Sequence, residues 1–172
     1  MASQYYIVIN LDPHIQQFLR SYFKCETEIF KFPPRHYFNF LLEDFVITKP
    51  PLQIEQKTDK QLFKIFLPNF KNKNPQYYRY LNKAKETIFR RQIKAFYDRR
   101  MIIRIMELLL KPRKLKNGIK FLPNLKQCVL IVIDEYEFDK EEKDPFDRLY
   151  KAYSRFEKKE KYRMIDKKNR GE

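Results

Sequence analysis

Only two glycines, Gly118 and Gly171, occur in the 172 residues of this chain. That scarcity excludes the glycine-rich turns of dinucleotide fingerprints and Walker-type phosphate loops, whose close backbone approach to a pyrophosphate needs several glycines. The chain instead carries 16 Phe and 12 Tyr within a 43% hydrophobic composition, ample material for a core. Rings this plentiful argue against disorder despite a 34% charged fraction. The length fits one domain, or a main body with a small appendage.

Charge supplies the second constraint. Lys and Arg number 37 against 22 Asp and Glu, so the formal net charge is 37 − 22 = +15. Such an excess concentrates polyanions when it is gathered on one side of a fold. Residues 151–172 hold nine positive and four negative charges, and residues 83–104 hold eight and two.

The longest apolar run, Val129 to Ile133, is far short of the ~20 residues that span a bilayer, so no membrane span is expected. The N-terminus lacks the pattern of a signal peptide. Cys25 and Cys128 are too few for a disulfide framework, which makes a soluble, reducing compartment the expected location. The two histidines, His14 and His36, and the two cysteines show no CxxC or HxxxH spacing, so neither a metal nor a cofactor is expected.

Along the chain, Gln4–Leu11 reads as a strand, and Asp12-Pro13 opens a helix through Ile15, Phe18, Leu19 and Phe23. Residues 28–32 read as a strand pairing with the first, ended by Pro33-Pro34, and 37–45 as a short segment apolar on more than one face. Residues 62–68 form a third strand. From Asn74-Pro75 onward the pattern is helical, with Leu81, Ala84, Ile88, Ala95, Ile103, Met106 and Leu110 as the apolar stripe, and Lys83, Arg90 and Lys94 on another face. A break near Arg99-Arg100 is expected. Residues 111–120 form a linker with five positive charges and no negative one.

The stripe Leu125, Cys128, Val129, Val132 and Tyr136 predicts a helix; the β-branched run 129–133 also suits a buried strand, and periodicity alone leaves both open, helix preferred. Asp144-Pro145-Phe146-Asp147 is a helix start, with Asp at the N-cap and Pro at N1. Phe146, Leu149, Tyr153 and Phe156 then form one seam. The predicted class is α+β: an N-terminal strand and helix region (1–70), a helical body ending in a helix-turn-helix-like pair (71–159), and a charged tail that frays (160–172).

In a helix-turn-helix the second helix presents basic and polar side chains to a DNA groove. The candidate nucleic-acid contacts on the last helix are Arg148, Lys151, Ser154, Arg155, Lys158 and Lys159, with Arg113, Lys114 and Lys116 of the linker as backbone clamps. The bland alternative is a solvated charged face. The turn 134–147 carries eight acids against two lysines, so it must point away from a bound duplex. Tyr77, Tyr78 and Tyr80 beside Arg79, and Tyr150 and Tyr153 beside Lys151, could stack on unpaired bases, although most rings must fill the core.

No enzyme is expected. Asp134 with Glu141-Glu142-Lys143 mimics a restriction-type metal motif only if residues 128–143 are strands. There is no His-x-His pair for a nickase, and no histidine beyond His36 for a tyrosine recombinase. Cys25 and His36 read as a core thiol and a surface or capping imidazole rather than a nucleophile and its base.

Three stretches together resemble small basic proteins of phages and mobile elements of gut Bacteroidales. They are Ile15-Gln16-Gln17-Phe18-Leu19; Leu67-Pro68 followed by Tyr77-Tyr78-Arg79-Tyr80-Leu81; and Asp147 to Phe156. The likeness spans most of the chain. It implies a mobile-element origin and supports the C-terminal helical pair, and it transfers no functional residue, since that family has no assigned activity. The expected function is non-enzymatic nucleic-acid binding, DNA before RNA, in transcriptional control or element maintenance, with a homodimer or protein partner open. The alternative is a structural or packaged phage protein, present in the virion, whose basic surface meets DNA or an acidic partner. Anionic membrane binding ranks third.

Overall fold

The computed structural model describes residues 5–48, 62–114, 120–138 and 145–170. The chain divides into two units, Met1–Ala95 and Phe96–Glu172. The fold is α+β, with an antiparallel strand pair near the N-terminus and mainly helix after it.

In the first unit, β1 (Tyr6–Asn10) and β2 (Leu62–Phe66) pair antiparallel, with Ile7 opposite Ile65 and Ile9 opposite Phe63. All four are buried on one face of the ribbon, as the two-residue period of a strand requires. The expected pairing of residues 28–32 with the first strand is not found. Phe30 makes a single parallel bridge to Ile65 of β2, through Phe30 N–H to the Lys64 carbonyl (2.9 Å) and Phe66 N–H to the Phe30 carbonyl (2.8 Å). The chain reaches it from helix α1 (Pro13–Phe23) on the far side of β2. Arg20 of α1 fixes this return by donating to the carbonyls of Thr27 and Glu28.

Residues 37–45 form a helix, α2 (Tyr37–Phe45), because His36 caps it: its Nδ1 accepts from Phe38 N–H at 3.3 Å. Phe38 and Leu42 are buried, while Tyr37 and Phe40 lie exposed. At its other end the Lys73 ammonium donates to the carbonyls of Glu43, Asp44 and Val46, a cation at the negative end of the helix. Phe23, Phe30, Phe32, His36, Phe38, Phe63 and Phe89 form one chain of edge and tilted ring contacts.

Helix α3 (Lys83–Leu110) begins later than the sequence pattern indicated and is continuous through Arg99-Arg100, so the expected break is absent. Its buried residues are Phe89 and Ile93 in the first unit and Tyr97, Met101, Ile105 and Leu108 in the second. The predicted stripe is thereby corrected: Ile88, Ile103, Met106 and Leu110 are exposed. The helix carries apolar residues at helical spacing on two faces. The face holding Phe89, Tyr97 and Met101 has more surface to remove from water, and it is the one that packs.

In the second unit, β3 (Arg113–Lys114) and β4 (Lys120–Phe121) pair as a short antiparallel ladder where a linker was expected. Residues 125–135 are helix, not strand. Helix α4 (Leu125–Glu135) starts with a reciprocal cap, Gln127 N–H to Asn124 Oδ1 (3.0 Å) and Asn124 N–H to Gln127 Oε1 (2.9 Å). Cys128, Val129, Val132 and Ile133 are buried. Helix α5 (Pro145–Arg170) packs against α4 through Leu149, which is 2% exposed, with Phe146, Tyr153 and Phe156 half-buried beside it. The expected N-cap, Asp144, lies outside the described residues.

The tail expected to fray continues α5 to Arg170. Lys161 pairs with Glu157 at 3.5 Å and Arg163 with Glu160 at 2.9 Å, and Lys, Arg and Glu are good helix formers.

Candidate nucleic-acid interface

The seam of α5 determines what its opposite face displays. With Leu149 turned toward α4, the 3.6-residue period sends Lys151, Arg155 and Lys158 outward together. All three are exposed, as are Arg148 and Lys159 at the border of the same face; Ser154 is half-buried at its edge. Lys151 Nζ lies 2.7 Å from Asp147 Oδ2, both side chains well exposed, so the pair is weak and a phosphate can replace the carboxylate at little cost. Arg155, Lys158 and Lys159 have no acidic partner among the described residues. Tyr162 extends this face by one more turn and is 70% exposed. Sequence reasoning missed it because the helix was expected to fray before it.

The other candidates fare differently. Arg113 and Lys114 sit on β3, opposite Phe121 and Lys120. Lys116 lies outside the described residues. Tyr153 belongs to the seam: burial, then the charge of Glu157 and the nearby Cys128, raises its hydroxyl pKa above the ordinary value. Tyr150 stacks on Phe146 at 5.8 Å.

The acidic turn is partly neutralised inside its own unit. Glu135 accepts two bonds from Arg104 of α3, at 2.8 Å from Nε and 2.7 Å from Nη2, and Glu107 takes a third at 2.9 Å. The Glu135 bond is the main cause that holds the guanidinium pKa above its ordinary value. This fork ties α3 to the C-terminal end of α4. Residues 139–144, which hold Glu141 to Lys143, lie outside the described residues.

In the first unit, Tyr77, Tyr78, Arg79 and Tyr80 line an open concavity of about 540 Å³ with Thr48 and Gln76. Tyr77 is 60% exposed, while Lys73 already sits over the Tyr78 ring and Arg79 over that of Tyr80. His36 is the cap of α2, as expected, whereas Cys25 is half-buried rather than in the core. Burial alone would raise the Cys25 thiol, but bonds from Thr27 and Lys31 and the Arg20 charge outweigh it and lower its pKa. Among the described residues no three His, Cys, Asp or Glu side chains gather as a metal site, and no helix is long and apolar enough to cross a membrane.

No protein-family model, curated protein or solved structure matches this chain.

Proposed function

We propose that this chain is a non-enzymatic nucleic-acid-binding protein that seats the outward face of α5 on duplex DNA, as a regulator or maintenance factor of a phage or mobile element acting in the bacterial cytoplasm. The observation that carries the reading is the exposed row Lys151, Arg155, Lys158 and Tyr162 opposite a buried Leu149. A packed helix presents these groups in a fixed register at small entropic expense, which is what a groove-reading helix needs. Arg155 is the residue assigned to base edges, because a guanidinium can bond guanine O6 and N7 together. Lys151 and Lys158 neutralise phosphates, and Arg113, Lys114 and Lys116 clamp backbone.

The second reading, a packaged or architectural protein, is favoured by one observation. Helix α5 continues eleven residues past Lys159, to Arg170, longer than a groove-reading helix requires. A randomised-duplex selection separates the two. Enrichment of a sequence supports the regulator; tight binding with no enrichment replaces it with the packaging role, and absence of binding at low salt refutes both DNA readings in favour of an acidic protein partner.

A further inference from the structure

The first unit holds a second basic surface of a different kind. Thr87, Arg90, Arg91 and Lys94 recur at i, i+3, i+4 and i+7 of α3, which places them on one side of the helix. That side borders a cavity of about 280 Å³ whose opposite wall is Leu11, Asp12 and Ile15, where β1 passes into α1. Leu11 and Ile15, each 2% exposed, back the cavity with an apolar wall of which only a small part is open, and the three cations are exposed around it. No carboxylate pairs with Arg90, Arg91 or Lys94 among the described residues. Asp12 is the one acid in the lining, so the formal charge there is 3 − 1 = +2. Its side chain makes no cap bond to α1. The Thr87 hydroxyl is turned back onto the Lys83 carbonyl at 2.8 Å, which leaves the recognition of an anion to the three cations.

Like charges on adjacent turns of a helix repel one another, and an anion shared among them removes that repulsion. Two guanidiniums beside an ammonium suit a phosphate, whose oxygens accept forked bonds from arginine. The apolar wall suits the carbon skeleton attached to that phosphate. At about 280 Å³ the cavity falls just under the ~300–1,000 Å³ of drug-sized sites, so it holds one nucleotide-sized group and not a length of duplex.

We propose that this cavity binds a phosphate ester, with the phosphate among Arg90, Arg91 and Lys94 and the sugar against Leu11 and Ile15. The ester is supplied by a free nucleotide or by one backbone phosphate of a nucleic acid. This site is independent of the α5 reading, and neither depends on the other.

The test is an amide-resolved NMR titration of the full chain with inorganic phosphate and with deoxyadenosine 5′-monophosphate. Saturable shifts are expected at residues 11–15 and 87–94, tighter for the nucleotide than for phosphate. Arg91→Gln with Lys94→Gln should weaken binding at least tenfold, while Lys126→Gln, which removes a charge in the other unit, should leave it unchanged. Asp12→Asn should tighten binding, since it removes the one negative charge while keeping a residue favoured at an N-cap. A short duplex added as competitor separates the sources: displacement of the nucleotide assigns a backbone phosphate, and persistence of the bound nucleotide assigns a free ester. Non-saturating shifts spread over all basic residues would overturn the proposal. So would a double variant that titrates like the parent, or weaker binding in Asp12→Asn; this last result stays informative if the double variant fails to fold. Loss of duplex binding in Arg155→Ala with Lys158→Ala would bear on α5 alone.

Discussion

Two basic helix faces in this molecule carry three cations each and have opposite surroundings. Arg90, Arg91 and Lys94 border a concavity with an apolar wall, whereas Lys151, Arg155 and Lys158 stand on the open side of a helix. Charge alone would give the two faces the same ligand. Curvature separates them: a concave site with an apolar wall can enclose one small phosphate ester, and a convex row can follow many phosphates in succession.

The sharpest way to break the comparison is to undo the packing that fixes the convex row. Leu149 is 2% exposed at the contact of α5 with α4, so Leu149→Ala should destabilise the second unit by about 2–5 kcal/mol. Urea unfolding followed by amide exchange in residues 125–158 checks it. A loss below about half a kcal/mol would mean that the seam does not hold α5, and that Lys151, Arg155 and Lys158 share no fixed register.

Salt is the next discriminator. A convex row that contacts about 4–6 phosphates should give log K against log salt a slope of about −4 to −5 on duplex DNA. The cavity engages a single phosphate, and its affinity for a mononucleotide should respond much more weakly. Fluorescence anisotropy across 50–200 mM salt measures the first, and the NMR titration measures the second. A flat duplex response would remove the distinction between the two faces.

Among the proposed DNA contacts, arginine and lysine should differ. Arg155→Ala should lose about 1–3 kcal/mol on a selected site and relax base preference there. Lys114→Ala should weaken all duplexes alike and reduce the salt slope by about one unit. Equal losses on every sequence from both variants would assign α5 to phosphate alone.

Sequence made some of this architecture legible and concealed the rest for identifiable reasons. The strand of residues 6–10 and the helix after Asp12-Pro13 were readable because β-branched and aromatic content and a proline at N1 are local signals. The seam of α5 was readable from four apolar residues and a proline. The buried face of α3 was not, because Ala84, Ile88, Ala95, Ile103, Met106 and Leu110 also fall on one side of the helix, and the partner elements decide between the two faces. The pairing of Phe30 with β2 depends on where α1 turns the chain, which no local pattern contains. The site residues follow the same division. The outward row of α5 is periodic and was found, but the Arg90, Arg91 and Lys94 cluster gains meaning only when Leu11 and Ile15 wall it from a distant part of the chain.

Glycine scarcity gives the smallest effect and the finest comparison between the units. Each unit ends a helix on a left-handed residue, a position usually taken by glycine. In α1 it is Lys24 (φ 52°), with Lys24 N–H to the Ser21 carbonyl and Cys25 N–H to that of Arg20. In α4 it is Glu137 (φ 53°), with Glu137 N–H to the Asp134 carbonyl and Phe138 N–H to that of Ile133. A side chain in this conformation costs about 1–2 kcal/mol, and glycine gives back roughly 0.5–1 kcal/mol of that through the greater freedom of the unfolded chain. The charges then act in opposite directions. Lysine at a helix C-terminus is favourable and glutamate unfavourable, by about 0.3–1 kcal/mol each. Glu137→Gly should therefore stabilise the second unit by about 1 kcal/mol, and Lys24→Gly should leave the first nearly unchanged. Amide exchange read unit by unit measures both. Equal gains in the two variants would mean that backbone strain alone sets the effect, and that the charge at the helix end contributes nothing at these two sites.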